Sequence, residues 1–186
     1  LFINYLIQDY IFLIHFSRAW ALLIVKSNSL NEMKLAANTV NTLVNEEIQL
    51  HVKTCLKEGI SEKQLYHAEE KINNLSYTRF VLEAGYTGGY LDLLVSLSPC
   101  IFGYGEIGQR LIKDSKPRNK YKDWIDVYSG KDYQRLCIKI GEMLDASINN
   151  RLGKNYKNHK SWPDLEKKFL LATKLEINFW EMSLKK

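Results

Sequence analysis

Proline and glycine are scarce, with three prolines and ten glycines in 186 residues. These residues punctuate helices and strands, so their scarcity points to long uninterrupted elements. Cys55, Cys100 and Cys137 are odd in number, widely spaced and form no C-x-x-C, which argues against a disulfide framework and for free thiols in a reducing cytoplasm. No G-x-G-x-x-G or G-x-x-x-x-G-K pattern occurs, so a phosphate cradle is unsupported. Histidine stands only at positions 15, 51, 67 and 159. Glu47 and His51 share a helical face and make half of a metal site, but the later helices offer no matching pair, so no metal is expected. The longest apolar stretch, Tyr10 to Val25, is broken by His15, Ser17 and Arg18, and the expectation is a cytoplasmic protein with no membrane span. Charge is only mildly positive, 26 − 21 = +5, and not focused into one tract. The basic stretch Arg151–Lys168 therefore reads as a solvated loop and helix start rather than a nucleic-acid surface.

What is present is helical periodicity. Leu1 to Val25 carries Tyr5, Phe12, Phe16, Ala19 and Leu23 at helical spacing. Ser29-x-x-Glu32 is a capping-box signature for a second helix ending before Gly59, with a stripe of Met33, Ala37, Val40, Val44, Ile48, Val52 and Cys55. Ser61-x-x-Gln64 opens a short helix that Asn73–Asn74 should end, and Ser76 is then the cap of the next, with Tyr77 on its first turn. Ser98–Pro99 marks a break or a helix start, after which Phe102, Ile107 and Leu111 should be buried and the helix should end near Ser115–Pro117. Lys120–Tyr128, Asp132–Leu152 (through Leu136, Ile140, Leu144 and Ile148) and Leu165–Leu184 complete the set. No segment alternates in the manner of a strand. The expected fold is all-α, six or seven unequal helices in a single domain over 1–186.

The stretch Tyr77–Gly108 holds the chemistry. Cys100 follows Pro99 and the apolar run Leu91–Leu97, with Tyr104 and Glu106 four and six residues on. A cysteine in the first turn of a helix feels the positive end of the dipole, which lowers its pKa and favours thiolate. The plain alternative is a buried structural cysteine. Asp9 and Glu176 are acids among apolar neighbours, each facing either water or a pocket. Tyr77, Tyr104, Tyr128, Phe12 and Phe179 lie near helix ends or near those acids. Aromatic walls, two acids and a thiol suit a flat nitrogen heterocycle, with carboxylates bonding ring nitrogens and exocyclic amines. Acids in an apolar pocket have raised pKa values, and a thiolate can attack an electrophilic ring carbon.

Six blocks carry a resemblance across nearly the whole chain: YLIQDYIFLIHFSRA at 5–19, the E-x-x-x-H pair at 47–51, SYTRFVL at 76–82, SPCIFGYGEIG at 98–108, YKDWIDVYSGKDY at 121–133 and LEINFWEM at 175–182. In this order the chain resembles the TenA/thiaminase II family, within the heme-oxygenase-like superfamily of helical bundles. The resemblance implies that Cys100 is a nucleophile toward a pyrimidine ring, Glu176 an acid/base on a ring nitrogen, and Asp9 the carboxylate that bonds ring nitrogen and exocyclic amine. It places Tyr77 and Tyr104 as hydroxyls around the thiol and Tyr128 and Phe179 in the pocket wall. Phe12 stands where many members have tyrosine, which removes a hydroxyl. The implied activity is hydrolysis of aminomethylpyrimidine or thiamine to hydroxymethylpyrimidine, without a cofactor, in a homo-oligomer, commonly a homotetramer. Members usually carry a further helix before the QDY block. The pattern here opens at Leu1 without it, so apolar surface on Leu1–Val25 and on the last helix is expected to lie uncovered unless a partner subunit closes it.

Two other functions fit the same fold. A heme oxidase needs a proximal histidine near the start of the bundle, and a di-iron oxidase needs a second carboxylate/histidine cluster on a late helix, which Leu165–Leu184 lacks. A non-catalytic binder or regulator of thiamine-related ligands is the other, although no helix-turn-helix with a basic recognition helix stands out.

Overall fold

The computed structural model describes residues 2–116, 119 and 121–184. All of the regular structure among them is helical: α1 (Phe2–Lys26), α2 (Leu30–Thr42), a π-turn (Leu43–Glu47), α3 (Ile48–Lys57), α4 (Glu62–Tyr66), α5 (Ile72–Thr87), α6 (Tyr90–Asp114), α7 (Lys122–Ser129), α8 (Lys131–Leu152), a 3-10 turn (Tyr156–Asn158) and α9 (Trp162–Leu184). Leu1, Pro117 and Lys120, used above as helix boundaries, lie outside the described residues. The all-α bundle expected from periodicity is the fold found, with more and shorter connecting helices than six or seven.

Helix α1 is the pillar. Tyr5, Phe12, Phe16, Trp20 and Leu23 are buried along it, and it packs against α2, α3, α5, α6 and α9. Each such side chain contributes about 1.5–3 kcal/mol on burial. Facing it, α6 is surrounded on all sides: every residue from Leu93 to Ile101 is buried. Apolar side chains also face outward on α9, where Leu170, Ile177 and Leu184 repeat at seven-residue spacing and are more than half exposed.

Four local readings are corrected by tertiary packing. First, α6 runs straight through Pro99. Proline removes one ladder hydrogen bond, but burial on every side holds the helix together, and Ser98 Oγ donates to Leu94 O beside the gap at 2.6 Å. Second, Asn73–Asn74 do not end a helix; they begin α5. The cap there is long-range. Gln8 of α1 accepts from Lys71 N (2.9 Å) and its backbone carbonyl accepts from Asn74 Nδ2 (2.8 Å). Ser76 accordingly lies inside α5, its hydroxyl bonded back to Ile72 O, and Tyr77 is on the second turn rather than the first.

Third, the buried face of α2 is Glu32, Ala36 and Thr39, continued by Leu43, whereas Met33 and Val44 are exposed. The expected stripe is one residue out until the π-turn inserts an extra residue, after which Val52 and Cys55 are buried as anticipated. Fourth, beyond Cys100 the buried positions are Ile101, Tyr104, Gly105 and Gly108, while Leu111 is exposed. Gly108 permits that face. A Cβ there would stand 2.6 Å from the backbone carbonyl carbon of Tyr128, so its absence lets α6 meet the end of α7 and sets the place of Tyr128.

The Ser29 cap forms as expected, accepting from Glu32 N, yet the Glu32 side chain does more than cap. It accepts from Asn28 N (2.8 Å), Ser147 Oγ (3.0 Å) and both terminal nitrogens of Arg151 (2.6 and 3.0 Å), tying α2 to α8. Burial pushes its pKa up, but these donors together hold it below the ordinary value. Arg151→Ala strands this carboxylate, and the unfolding free energy measured by urea denaturation at pH 7 is expected to fall by about 3 kcal/mol.

Candidate active site

Cys100 lies well inside α6, nearly three turns from its start, so the helix N-terminus does not act on it. Burial pushes its thiol well above the ordinary value, and the charges of Glu176, Asp9 and Glu47 push the same way. The expectation of a pre-formed thiolate is therefore corrected. At rest this is a thiol, surrounded by acids.

Glu176 projects from α9 beside that thiol. Burial, then the Asp9 charge, push it up to about 8, only partly offset by Tyr77, Cys100 and Trp180. Tyr77 and Trp180 face its carboxyl closely enough to favour the anion, yet neither closes a hydrogen bond. Glu176 Oε2, Tyr77 OH and Trp180 Nε1 are all buried and unpartnered. Each orphaned polar atom of this kind costs about 1–3 kcal/mol. Three around one thiol mark a place built for the donors and acceptors of something else.

Asp9, from α1, is 1% exposed and faces donors on every side. Tyr5 OH donates to its Oδ2 at 2.9 Å, Tyr104 OH approaches Oδ1 at 3.5 Å, and His51 Nε2 lies 2.6 Å from Oδ2. Glu47, at the end of the π-turn, accepts from Tyr128 OH at 2.5 Å. Burial pushes the Glu47 carboxyl up to about 7, against the pull of Tyr128 and His51, while the charge of Asp9 adds to the rise. Among the described residues no group of three or more His, Cys, Asp and Glu side chains is arranged to hold a metal ion.

Around these groups stands an aromatic wall in two parts. Phe12 packs on Tyr77 and Phe179, with ring centroids 5.0 and 5.3 Å apart. Tyr104 packs on Tyr128 at 4.9 Å, Trp124 on Tyr128 at 4.4 Å, and Trp180 lies nearly parallel to Tyr5 at 4.6 Å. Asp9, Phe12, Tyr77, Cys100, Tyr104, Tyr128, Glu176 and Phe179 are thus all buried, and they are drawn from five helices into one neighbourhood.

The TENA/THI-4/PQQC family model matches residues 2–186. This chain belongs to that family. Among TENA/THI-4/PQQC relatives, an aminopyrimidine aminohydrolase of Halalkalibacterium halodurans is 31% identical over 95% of this chain and 77% of its own length. An uncharacterized protein of Haemophilus influenzae is 33% identical over 98% of this chain and 83% of its own. The crystal structure of a TenA family transcription regulator from Silicibacter sp. TM1040 superposes with a TM-score of 0.95, at 51% identity, covering 100% of this chain and 82% of that one.

Against the TENA/THI-4/PQQC fold, the residues that sequence reasoning missed as site groups are Tyr5, Glu47, His51, Trp124 and Trp180. Glu47 and His51 stand out in the sequence as a face-sharing pair and as one block of the resemblance, but neither signal gives them a role in the site. Tyr5 was visible too, four residues before Asp9 on the same helical face. Trp124 and Trp180 carry no local signal, since only the packing of α7 and α9 brings them to the site. Glu176 also has a consequence for stability. Its folded pKa of about 8 lies above its ordinary value of 4.5. The carboxyl's favourable contribution is therefore full below pH 4.5 and is lost as pH rises through 8. Glu176→Gln is expected to leave stability nearly unchanged at pH 4 and to raise it by a few kcal/mol at pH 8, read from urea unfolding at the two pH values.

Proposed function

We propose that this chain is an aminopyrimidine aminohydrolase of the thiaminase II type, releasing hydroxymethylpyrimidine from aminomethylpyrimidine or thiamine with Cys100 as nucleophile. The observation that carries this reading is the orphaned trio of Glu176 Oε2, Tyr77 OH and Trp180 Nε1 around a buried thiol. A flat ring bearing both nitrogen lone pairs and an exocyclic amine offers acceptors to the phenol and indole and donors to carboxylates. The name of the Halalkalibacterium halodurans relative supports the same substrate class.

In the reaction so read, the aromatic walls hold the pyrimidine flat, and Asp9 accepts from its exocyclic amine. Glu176, protonated at neutral pH because burial pushes it up to about 8, gives its proton to a ring nitrogen as the Cys100 sulfur bonds to the adjacent ring carbon. The thiol proton passes to a neighbouring carboxylate during this step. Ring electrons then expel the leaving group from the exocyclic methylene, the amine taking up the former thiol proton to depart as ammonia, or the thiazolium departing as the neutral thiazole. Water adds to that methylene, its excess proton returns to the site, and the carbon–sulfur bond breaks to restore the thiol. The net change is amine plus water to alcohol plus ammonia. No cofactor is called on. Phe12 lacks the hydroxyl that the resemblance leads one to expect, so one polar contact to the substrate is absent.

The reading includes a homotetramer in a reducing cytoplasm. The exposed Leu170, Ile177 and Leu184 on α9 support self-association, and sedimentation velocity is expected to show a species larger than a monomer. The likeness to a TenA family transcription regulator of Silicibacter sp. TM1040 favours a second reading, a binder without turnover. Chromatographic assay of hydroxymethylpyrimidine release separates the two. Wild type is expected to turn over, and Cys100→Ser to lose at least roughly a thousandfold in kcat at unchanged melting temperature. Ligand binding without turnover, indifferent to Cys100→Ala, would establish the binder.

A further inference from the structure

His51 has no assigned part in this chemistry, and its surroundings determine where its protons are. The ring is fully buried. Nδ1 lies 2.9 Å from the backbone carbonyl of Glu47. A carbonyl only accepts, so Nδ1 carries a proton. Nε2 then lies 2.6 Å from Asp9 Oδ2, a distance at which a bare lone pair against a carboxylate is repulsive. One proton must sit between them. Two forms satisfy this: imidazolium with carboxylate, or neutral imidazole with carboxylic acid.

The remaining contacts of Asp9 decide between the two. Trp124 Nε1, which can only donate, gives its hydrogen to Tyr5 OH at 3.3 Å. Tyr5 OH lies 2.9 Å from Asp9 Oδ2 and 3.1 Å from Tyr104 OH, which in turn approaches Oδ1 at 3.5 Å, so whichever way the link between the two phenols runs, at least one of them donates to Asp9. Asp9 is thus met by donors alone, which is the environment of an anion.

The titratable groups facing the pair are Tyr5 from α1, Glu47 from the π-turn, Cys100 and Tyr104 from α6, Tyr128 from α7 and Glu176 from α9. All are neutral or acidic. Lys57, Glu58 and Asp123 line a small cavity of about 100 Å³ that reaches His51, and Lys57 is paired with Asp123 at the surface, 3.7 Å away. No lysine or arginine among the described residues bonds to any of the buried acids or phenols just named.

We infer that His51 is a positioning residue that supplies the compensating positive charge for Asp9, so that the pair stands as imidazolium and carboxylate and Asp9 remains an acceptor toward the bound ring. The π-turn is what makes the pairing possible. The buried face Glu32, Ala36, Thr39, Leu43 of an unbroken α-helix continues through positions 46 or 47, 50 and 54. The extra residue in Leu43–Glu47 rotates the helix so that His51, Val52 and Cys55 are buried instead. Single π-turns of this kind recur at functional sites. Burial alone would lower the His51 pKa, and the bond to Asp9 with the charges of Asp9 and Glu47 outweighs it, so the net direction is upward. His51 therefore holds its charge above the pH at which free histidine loses it.

The charge state is tested without any reference to activity, and only the second arm below rests on the hydrolase reading. Nitrogen-15 NMR of histidine-labelled wild-type protein, assigned with His51→Gln, is expected to show both His51 ring nitrogens protonated at pH 7.5, about one unit above the ordinary histidine value. In Asp9→Asn the same ring is expected to become neutral at that pH. A neutral ring protonated at Nδ1 in wild type at pH 7.5 overturns the inference, as does an imidazolium that survives Asp9→Asn. In turnover, His51→Gln keeps a donor but loses the charge. The acid limb of kcat/KM is expected to move up by about one pH unit, with the ratio to wild type returning toward one above that limb. Loss by the same factor at every pH, in a folded variant, would make His51 merely structural and also overturn the inference. Absence of turnover in wild type would sink the hydrolase reading alone, leaving the NMR result to decide the charge.

Discussion

The buried contact between Asp9 and His51 is the constraint around which the rest of the site is arranged. A carboxylate in an apolar core is tolerated only when its lone pairs are met by donors and its charge is answered. Here the donors come from α1 itself (Tyr5), from α6 (Tyr104) and from α3 (His51), with Trp124 of α7 steering the proton of Tyr5. Four segments distant in sequence are thereby obliged to meet at one point. Once α1, α3, α6 and α7 are pinned there, Cys100 of α6 and Glu176 of α9 are left beside one another among aromatic rings. The three acids then differ in the way the chemistry requires: Asp9 is met by donors, whereas Glu47 and Glu176 are desolvated with less compensation and hold their protons to about pH 7 and 8.

Much of this was legible from the chain alone. Periodicity located α1, α8 and α9 nearly to the residue, because their apolar stripes repeat without interruption. All eight proposed site residues lie in one buried neighbourhood, although their roles rest on the resemblance and on the chemistry of the pocket. What was not legible has physical causes. Proline at 99 ordinarily signals a break, but burial from Leu93 to Ile101 overrides it, and with the continuous helix goes the dipole argument for a thiolate. The start of α5 depends on Gln8, more than sixty residues away, and no local rule reports such a cap. The π-turn has no composition of its own. It shifted the stripe of α2 by one residue and kept Glu47 and His51 from being read as parts of the site. The indoles of Trp124 and Trp180 are placed wholly by packing between helices.

The π-turn also takes up a difference in chain length. Between Leu43 and Glu47 the protein carries one residue more than a regular helix needs, and the π-turn absorbs that surplus so that His51, Val52 and Cys55 fall on the buried face. A regular helix of the same length would rotate everything after the turn by about 100°. It would be a better helix and a worse catalyst, with His51 turned away from Asp9 while circular dichroism looked unharmed. A chain one residue shorter here would instead keep His51 on the same face. In comparing relatives of this protein, a single gap opened in that turn is therefore a change the site can absorb, because the residue lost is the one the turn was taking up.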